Sequence, residues 1–170
     1  MNSIPRIGTK THRGFPVLPA SDCARKEKRL DAEPGFRSNT SMIIRNHHDE
    51  SVPALGFGTW QLRDDECRRA IDNALEVGYR HIDTAQMYQN ETEIGHALSG
   101  SGLAREDLFL TTKVWRDNLH REGVIDALTA SLDQLQTDYV NLTLIHWPNE
   151  EVPLEETLEA LNQLRSDGKT

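Results

Sequence analysis

Asp83, Tyr88, Lys113 and His146 are the residues of this sequence whose types and spacing could carry out a reaction together. Asp83 closes the run Tyr-Arg-His-Ile-Asp, Tyr88 follows in the next loop, Lys113 closes Leu-Phe-Leu-Thr-Thr-Lys, and His146 closes Leu-Thr-Leu-Ile-His. Reduction of a carbonyl needs a proton at the oxygen as hydride reaches the carbon, and a phenol with an ordinary pKa of about 10 gives one up reluctantly near neutrality. A neighbouring cation stabilises phenolate. Lys113 would therefore make Tyr88 a usable acid, Asp83 would hold the ammonium charged and in place, and His146 would donate a hydrogen bond to the carbonyl oxygen. Singly, each has an ordinary use: Asp83 as a cap, Tyr88 as a packing aromatic, His146 as a satisfied strand-end histidine. Lys113 has the least room for one, because an alternating strand interior is a costly place for an unpartnered ammonium.

Trp60, Trp115 and Trp147 each fall within two residues of Thr59, Lys113 or His146. Three indoles at one rim suggest an apolar substrate pocket around a few polar groups, with plain core packing as the alternative. Gly56-Phe57-Gly58-Thr59 is glycine-rich but lacks both a third glycine and a GK[ST] ending, so it is not a phosphate loop. Gly58 there permits close backbone packing, with a ligand approaching nearby.

The elements that must position these groups follow from periodicity. Leu55–Thr59, Tyr79–Asp83, Leu108–Lys113 and Tyr139–His146 read as strands, each followed by a helix. Cys67, Ala70, Ile71, Ala74 and Leu75 make the stripe of the first helix, and Gly78 supplies its stop. Asn90 with Glu93 resembles a capping arrangement for a second helix carrying Ile94, Ala97 and Leu98. Val124, Ala127, Leu128, Ser131, Leu132 and Leu135 line the third; Leu154, Leu158, Leu161 and Leu164 line the fourth. Met42–Arg45 and Val52–Leu55, around the polar stretch 46–50, read as a hairpin. Alternating strands and helices imply a parallel sheet with polar groups recurring at the strands' carboxyl ends, which fits a barrel and an open α/β sheet alike.

Composition sets outer limits. The net charge of -8 is concentrated after residue 41, and no basic stripe offers itself to nucleic acid or an anionic membrane surface. Residues 1–41 are net basic, hold Pro5, Pro16, Pro19 and Pro34, and show no apolar periodicity, so a disordered amino-terminal extension is expected there and one domain over 42–170. Cys23 and Cys67 have no CxxC spacing, and no apolar run is long enough for a membrane span or a secretory signal, which points to free thiols and a cytoplasmic protein.

Gly-Phe-Gly-Thr-Trp (56–60), Asp-Thr-Ala-Gln-Met-Tyr-Gln-Asn-Glu (83–91), Lys-Val-Trp (113–115) and Leu-Ile-His-Trp-Pro (144–148) resemble, in order and spacing, the aldo-keto reductases. The run at 137–148 is similar to that of bacterial 2,5-diketo-D-gluconic acid reductases. The resemblance implies the amino-terminal half of a TIM-type (β/α)8 barrel, about four βα units, and NADPH-dependent reduction of a small aldehyde or ketone, keto-sugar acids among them. It implies Tyr88 as proton donor, Asp83 and Lys113 as its tuning pair, and His146 as the substrate-orienting group. Trp60, Trp115, His146 and Trp147 would meet substrate, and Gly58, Thr59 and Asp83 the cofactor. In that family most cofactor contacts come from the second half of the barrel, so the resemblance also implies a fragment.

Three other readings stand beside it. Lys113 could serve a Schiff-base aldolase, and His81, Asp83 and His146 could ligate the metal of a hydrolase, although both leave Tyr88 unused. The third is non-catalytic: a half-barrel whose exposed edges associate with another chain or another copy.

Overall fold

The computed structural model describes residues 43–45 and 51–170. The expected extension over 1–41, Cys23 within it, and the turn at 46–50 lie outside the described residues.

Strands β1 (Ile43–Arg45) and β2 (Ser51–Pro53) pair antiparallel with Ile44 opposite Val52, as a hairpin requires. From there strand and helix alternate: β3 (Gly56–Gly58), α1 (Asp64–Glu76), β4 (His81–Asp83), α2 (Glu91–Gly100), β5 (Phe109–Val114), α3 (Arg121–Leu135), β6 (Leu142–Ile145) and α4 (Leu154–Ser166). The four expected strands are present but trimmed, because ladder pairing covers only part of each apolar run.

β3, β4, β5 and β6 form one parallel sheet in chain order. Each of α1, α2 and α3 packs on the next helix, so the helices cover one face of the sheet. That combination selects the barrel over an open, doubly wound sheet, in which strand order reverses and helices lie on both faces. Register assigns the faces: Gly56 and Gly58 align with His81 and Asp83, His81 and Asp83 with Phe109 and Thr111, and Thr111 and Lys113 with Leu142 and Leu144. With side chains alternating along each strand, these residues share the face away from the helices. Ile82, Leu110 and Val114 point the other way, into the core.

The helix faces of α1, α2 and α3 follow the sequence periodicity. Cys67, Ile71, Ala74 and Leu75 are buried on α1; Ile94, Ala97 and Leu98 on α2; and all six expected positions on α3. Each large apolar side chain so buried contributes about 1.5–3 kcal/mol. Burial, with Glu93 adding to it, pushes the Cys67 thiol up to about 11. Helix α1 ends at Gly78 (φ +102°), where Gly78 N–H donates to Leu75 O and Tyr79 N–H to Ala74 O, satisfying carbonyls the helix leaves open.

Two expectations are corrected. Asn90 makes no side-chain cap to α2, because its amide is already bound elsewhere, as described below. On α4 the buried positions are Thr157, Ala160 and Leu164, while Leu154 and Leu158 are exposed. The reason is that Thr157 turns inward to donate its hydroxyl to Leu119 O at 2.8 Å, and the helix buries the small residues on that line. Leu154 and Leu158 fall to one side of it. Beyond α4, Lys169 O accepts from Val140 N–H at 3.0 Å, which lays the chain alongside the approach to β6.

Candidate functional site

Asp83 ends β4, Lys113 is the penultimate residue of β5, and His146 directly follows β6, so parallel pairing brings all three to one end of the sheet. Lys113 Nζ donates to Asp83 Oδ1 at 2.5 Å and to Thr84 O at 2.9 Å, its side chain 13% exposed and that of Asp83 34%. The ammonium is thus held between a carboxylate and a carbonyl with water largely excluded. Such a pair gains orientation more than stability, since desolvation offsets most of its attraction.

Tyr88 arrives from the loop after β4, on a single 3-10 turn over Gln86–Tyr88. Lys113 Nζ lies 5.1 Å from its ring centroid, and the His146 ring meets Tyr88 edge-on at 5.5 Å between centroids. Among the described residues none bonds the Tyr88 hydroxyl. On its other side His146 meets Trp115 edge-on at 5.4 Å, so two aromatic contacts, each worth about 0.5–1.5 kcal/mol, fix the imidazole plane.

Burial, reinforced by the Lys113 charge and only partly opposed by Asp83, lowers the His146 pKa from its ordinary 6.5. The imidazole is therefore neutral at pH 7, with one ring nitrogen protonated. Nδ1 is buried without a hydrogen-bond partner, so a neutral ring can offer a donor to the site only in the tautomer that carries its proton on Nε2. In that tautomer His146 donates one hydrogen bond from Nε2.

Trp60 and Trp147 are 66% and 59% exposed, Trp115 is half-buried, and Met87 joins them as an exposed apolar residue of the Tyr88 loop. Gln86 accepts from Trp115 N–H at 3.2 Å and from Asn118 Nδ2 at 3.0 Å, tying the loops after β4 and β5 together. At Gly58, opposite Asp83, an added Cβ would meet no atom within 4 Å, so the interior face is open beside the carboxylate. Thr59 is fully buried, with both its N–H and its hydroxyl donated to Asp83 O at 3.0 and 3.1 Å. It holds Asp83 from behind.

His81 does not join this group. Its Nε2 lies 3.0 Å from Thr111 Oγ1, its Nδ1 faces Pro53 O at 3.4 Å, and its ring packs edge-on against Phe109, two residues back along the strand from Asp83. Among the described residues no cluster of His, Cys, Asp and Glu could hold a metal ion. Sequence reasoning missed Gln86, Thr84, Asn90 and Glu91. Glu91 had a signal: it lies three residues before Ile94 and so falls on the buried stripe of α2, where a carboxylate needs partners. Thr112 and Ser131 donate to it at 2.6 and 2.9 Å, and burial raises its pKa.

Consecutive βα units that gather a phenol, an ammonium–carboxylate pair and an imidazole at their strand ends match the barrel fold, whose enzymes carry their chemistry on that rim. The chain belongs to the Aldo/keto reductase family, which residues 54–170 match. Methylglyoxal reductase DkgB of Escherichia coli O157:H7 is 48% identical over 122 residues, 71% of this chain and 46% of that protein. A solved structure assigned as 2,5-diketo-D-gluconic acid reductase B is 49% identical, with a TM-score of 0.68 over 69% of this chain and 42% of that one. The Bombyx mori aldo-keto reductase solved in complex with NADP is 34% identical, with a TM-score of 0.70 over 75% of this chain and 47% of that one. The chain spans about half the length of the curated relatives it matches.

Proposed function

We propose that this chain supplies the proton-donating half of an NADPH-dependent reductase that converts a small aldehyde or ketone to its alcohol. The observation that carries this is the Lys113–Asp83 pair beneath the Tyr88 ring, with a neutral His146 edge-on to that ring. His146 Nε2–H orients the carbonyl oxygen, and Tyr88 gives it a proton. The Lys113 ammonium, 5.1 Å from the Tyr88 ring centroid and held by Asp83, offsets the charge left on the phenolate. Trp60, Trp115 and Trp147 surround the substrate with apolar surface and keep water from it. NADPH, when bound, supplies the hydride. The open face at Gly58 and the partly exposed Asp83 carboxylate suit the approach of its reactive ring, with Thr59 fixing the Asp83 backbone.

The relatives named above suggest methylglyoxal and keto-sugar acids as substrates. Lys113 spends two N–H groups on Asp83 and Thr84, an arrangement built around an ammonium rather than the free amine a Schiff base needs. The setting is a reducing, cytoplasmic one, in keeping with a buried free thiol at Cys67. Among the described residues no helix is long and apolar enough to cross a membrane.

The test follows NADPH oxidation with methylglyoxal and with a keto-sugar acid, using the chain joined to four complementary βα units from a relative. Tyr88→Phe should lower kcat by about 10²–10⁴-fold with cofactor binding unchanged, since only the proton donor is removed. Near-normal turnover by the Phe variant would overturn the assignment.

A second reading, association with another copy or half-barrel, is favoured by Leu142 and Leu144, each 38% exposed on the site face of edge strand β6. Sedimentation of the chain alone tests it: a monomer at all concentrations counts against it.

A further inference from the structure

The proton-transfer scheme makes no use of Asn90, yet this fully buried amide bonds to the segments the scheme depends on. Its Nδ2 donates to Thr59 O at 2.9 Å and to Leu62 O at 3.1 Å, and its Oδ1 accepts from Thr84 Oγ1 at 3.0 Å. Two facing carbonyls can only accept and so require the NH2, which fixes the orientation of the amide. Thr84 itself is 2% exposed, its N–H donates to Thr111 O, and its carbonyl is one of the two acceptors of the Lys113 ammonium. One side chain therefore fastens the end of β3, the turn that follows Trp60, and the residue next to Asp83. One residue, Gln89, separates Asn90 from Tyr88 along the chain.

We propose that Asn90 is a positioning residue: through Thr84 it sets where the Lys113 ammonium sits relative to Asp83 and Tyr88. The proposal rests on the role given to Lys113 above. Asparagine suits the place because it offers two donors and an acceptor without charge. Asp would set a carboxylate against two carbonyl oxygens, and Leu would remove all three bonds and leave the buried Thr84 hydroxyl without its acceptor. Glu91, the next residue, is as deeply buried but bonds to Ser131 on α3 and to Thr112, whose side chain points to the helix side of β5. It ties the sheet to the helix layer and supplies the comparison that separates positioning from stability.

The experiment records the Lys113 ammonium by nitrogen-15 NMR in the full chain, where its hydrogens exchange slowly only while donated to Asp83 and Thr84. Thr84→Val removes only the hydroxyl that reaches Asn90, and Asn90→Ala removes all three bonds. Both should speed that exchange about tenfold, the scale of one buried hydrogen bond. Thr84→Ser keeps the hydroxyl and should exchange like the wild type. Ser131→Ala breaks a bond to Glu91 at similar burial and should lower the urea midpoint without speeding exchange. Wild-type exchange in Thr84→Val, equal acceleration in Ser131→Ala, or no slow Lys113 signal in the unmodified chain each overturns the proposal. If Asn90→Ala does not fold, the contrast between Thr84→Val and Thr84→Ser decides. None of these readings uses turnover, so a failure to oxidise NADPH counts against the proposed function and not against the role of Asn90.

Discussion

His146 is the residue whose surroundings say most about its state. Its folded pKa lies below the ordinary 6.5, so the fold favours the neutral ring. The stability this contributes is full above the unfolded pKa and is lost as pH falls through the folded one. In an NMR titration the His146 ring should reach its midpoint below 6.5, and Lys113→Met should move that midpoint upward by removing a neighbouring positive charge. A midpoint at or above 6.5 would contradict a neutral hydrogen-bond donor. The loss of activity expected of Tyr88→Phe belongs to this scale as well. It tests the phenol alone, because the ring's contacts with His146 and Lys113 survive the substitution.

Between elements, the closest constraint is at Gly95 of α2. A Cβ there would stand 2.3 Å from Gln134 O and 2.8 Å from the Leu135 carbonyl carbon, both backbone atoms of the α3 carboxyl-terminal turn that cannot give way cheaply. Gly95→Ala should therefore cost about 1–3 kcal/mol by urea denaturation, as overpacking does. Gly100→Ala, with nothing within 4 Å, should be close to neutral. An equal effect at both positions would show that the helix approach is not tight. The elements also show what periodicity conveys. α1, α2 and α3 were legible because their apolar residues recur at helical spacing and pack on neighbours of the same kind. On α4 the reading holds for Leu164, which is buried, and Leu161, which packs against the core, but fails for Leu154 and Leu158, because Thr157 and Ala160 take the interface and a hydroxyl with a carbonyl to reach is as good an occupant there as a leucine. At the site, Asp83, Tyr88, Lys113 and His146 could be read from strand-end spacing. Asn90 could not: its partners Thr59, Leu62 and Thr84 are brought to it by strand pairing, and its place before a helix imitated a cap.

For the whole molecule, the apolar periodicity that offsets the entropy of ordering a chain begins after residue 41. A shortened chain starting at Met42 should keep the circular dichroism and solubility of the full one; loss of either would count against the boundary. Cys67 lies at the seam of that core, fully buried on α1, with a thiol held protonated at neutral pH. An alkylating reagent can reach it only when α1 lifts from the sheet, so its labelling rate is a clock for that opening. Followed at Cys67 by mass spectrometry, labelling should be slow in the native chain and quicken with urea in step with unfolding. Rapid labelling without denaturant would mean that the first βα unit opens on its own while the rest of the sheet stays closed.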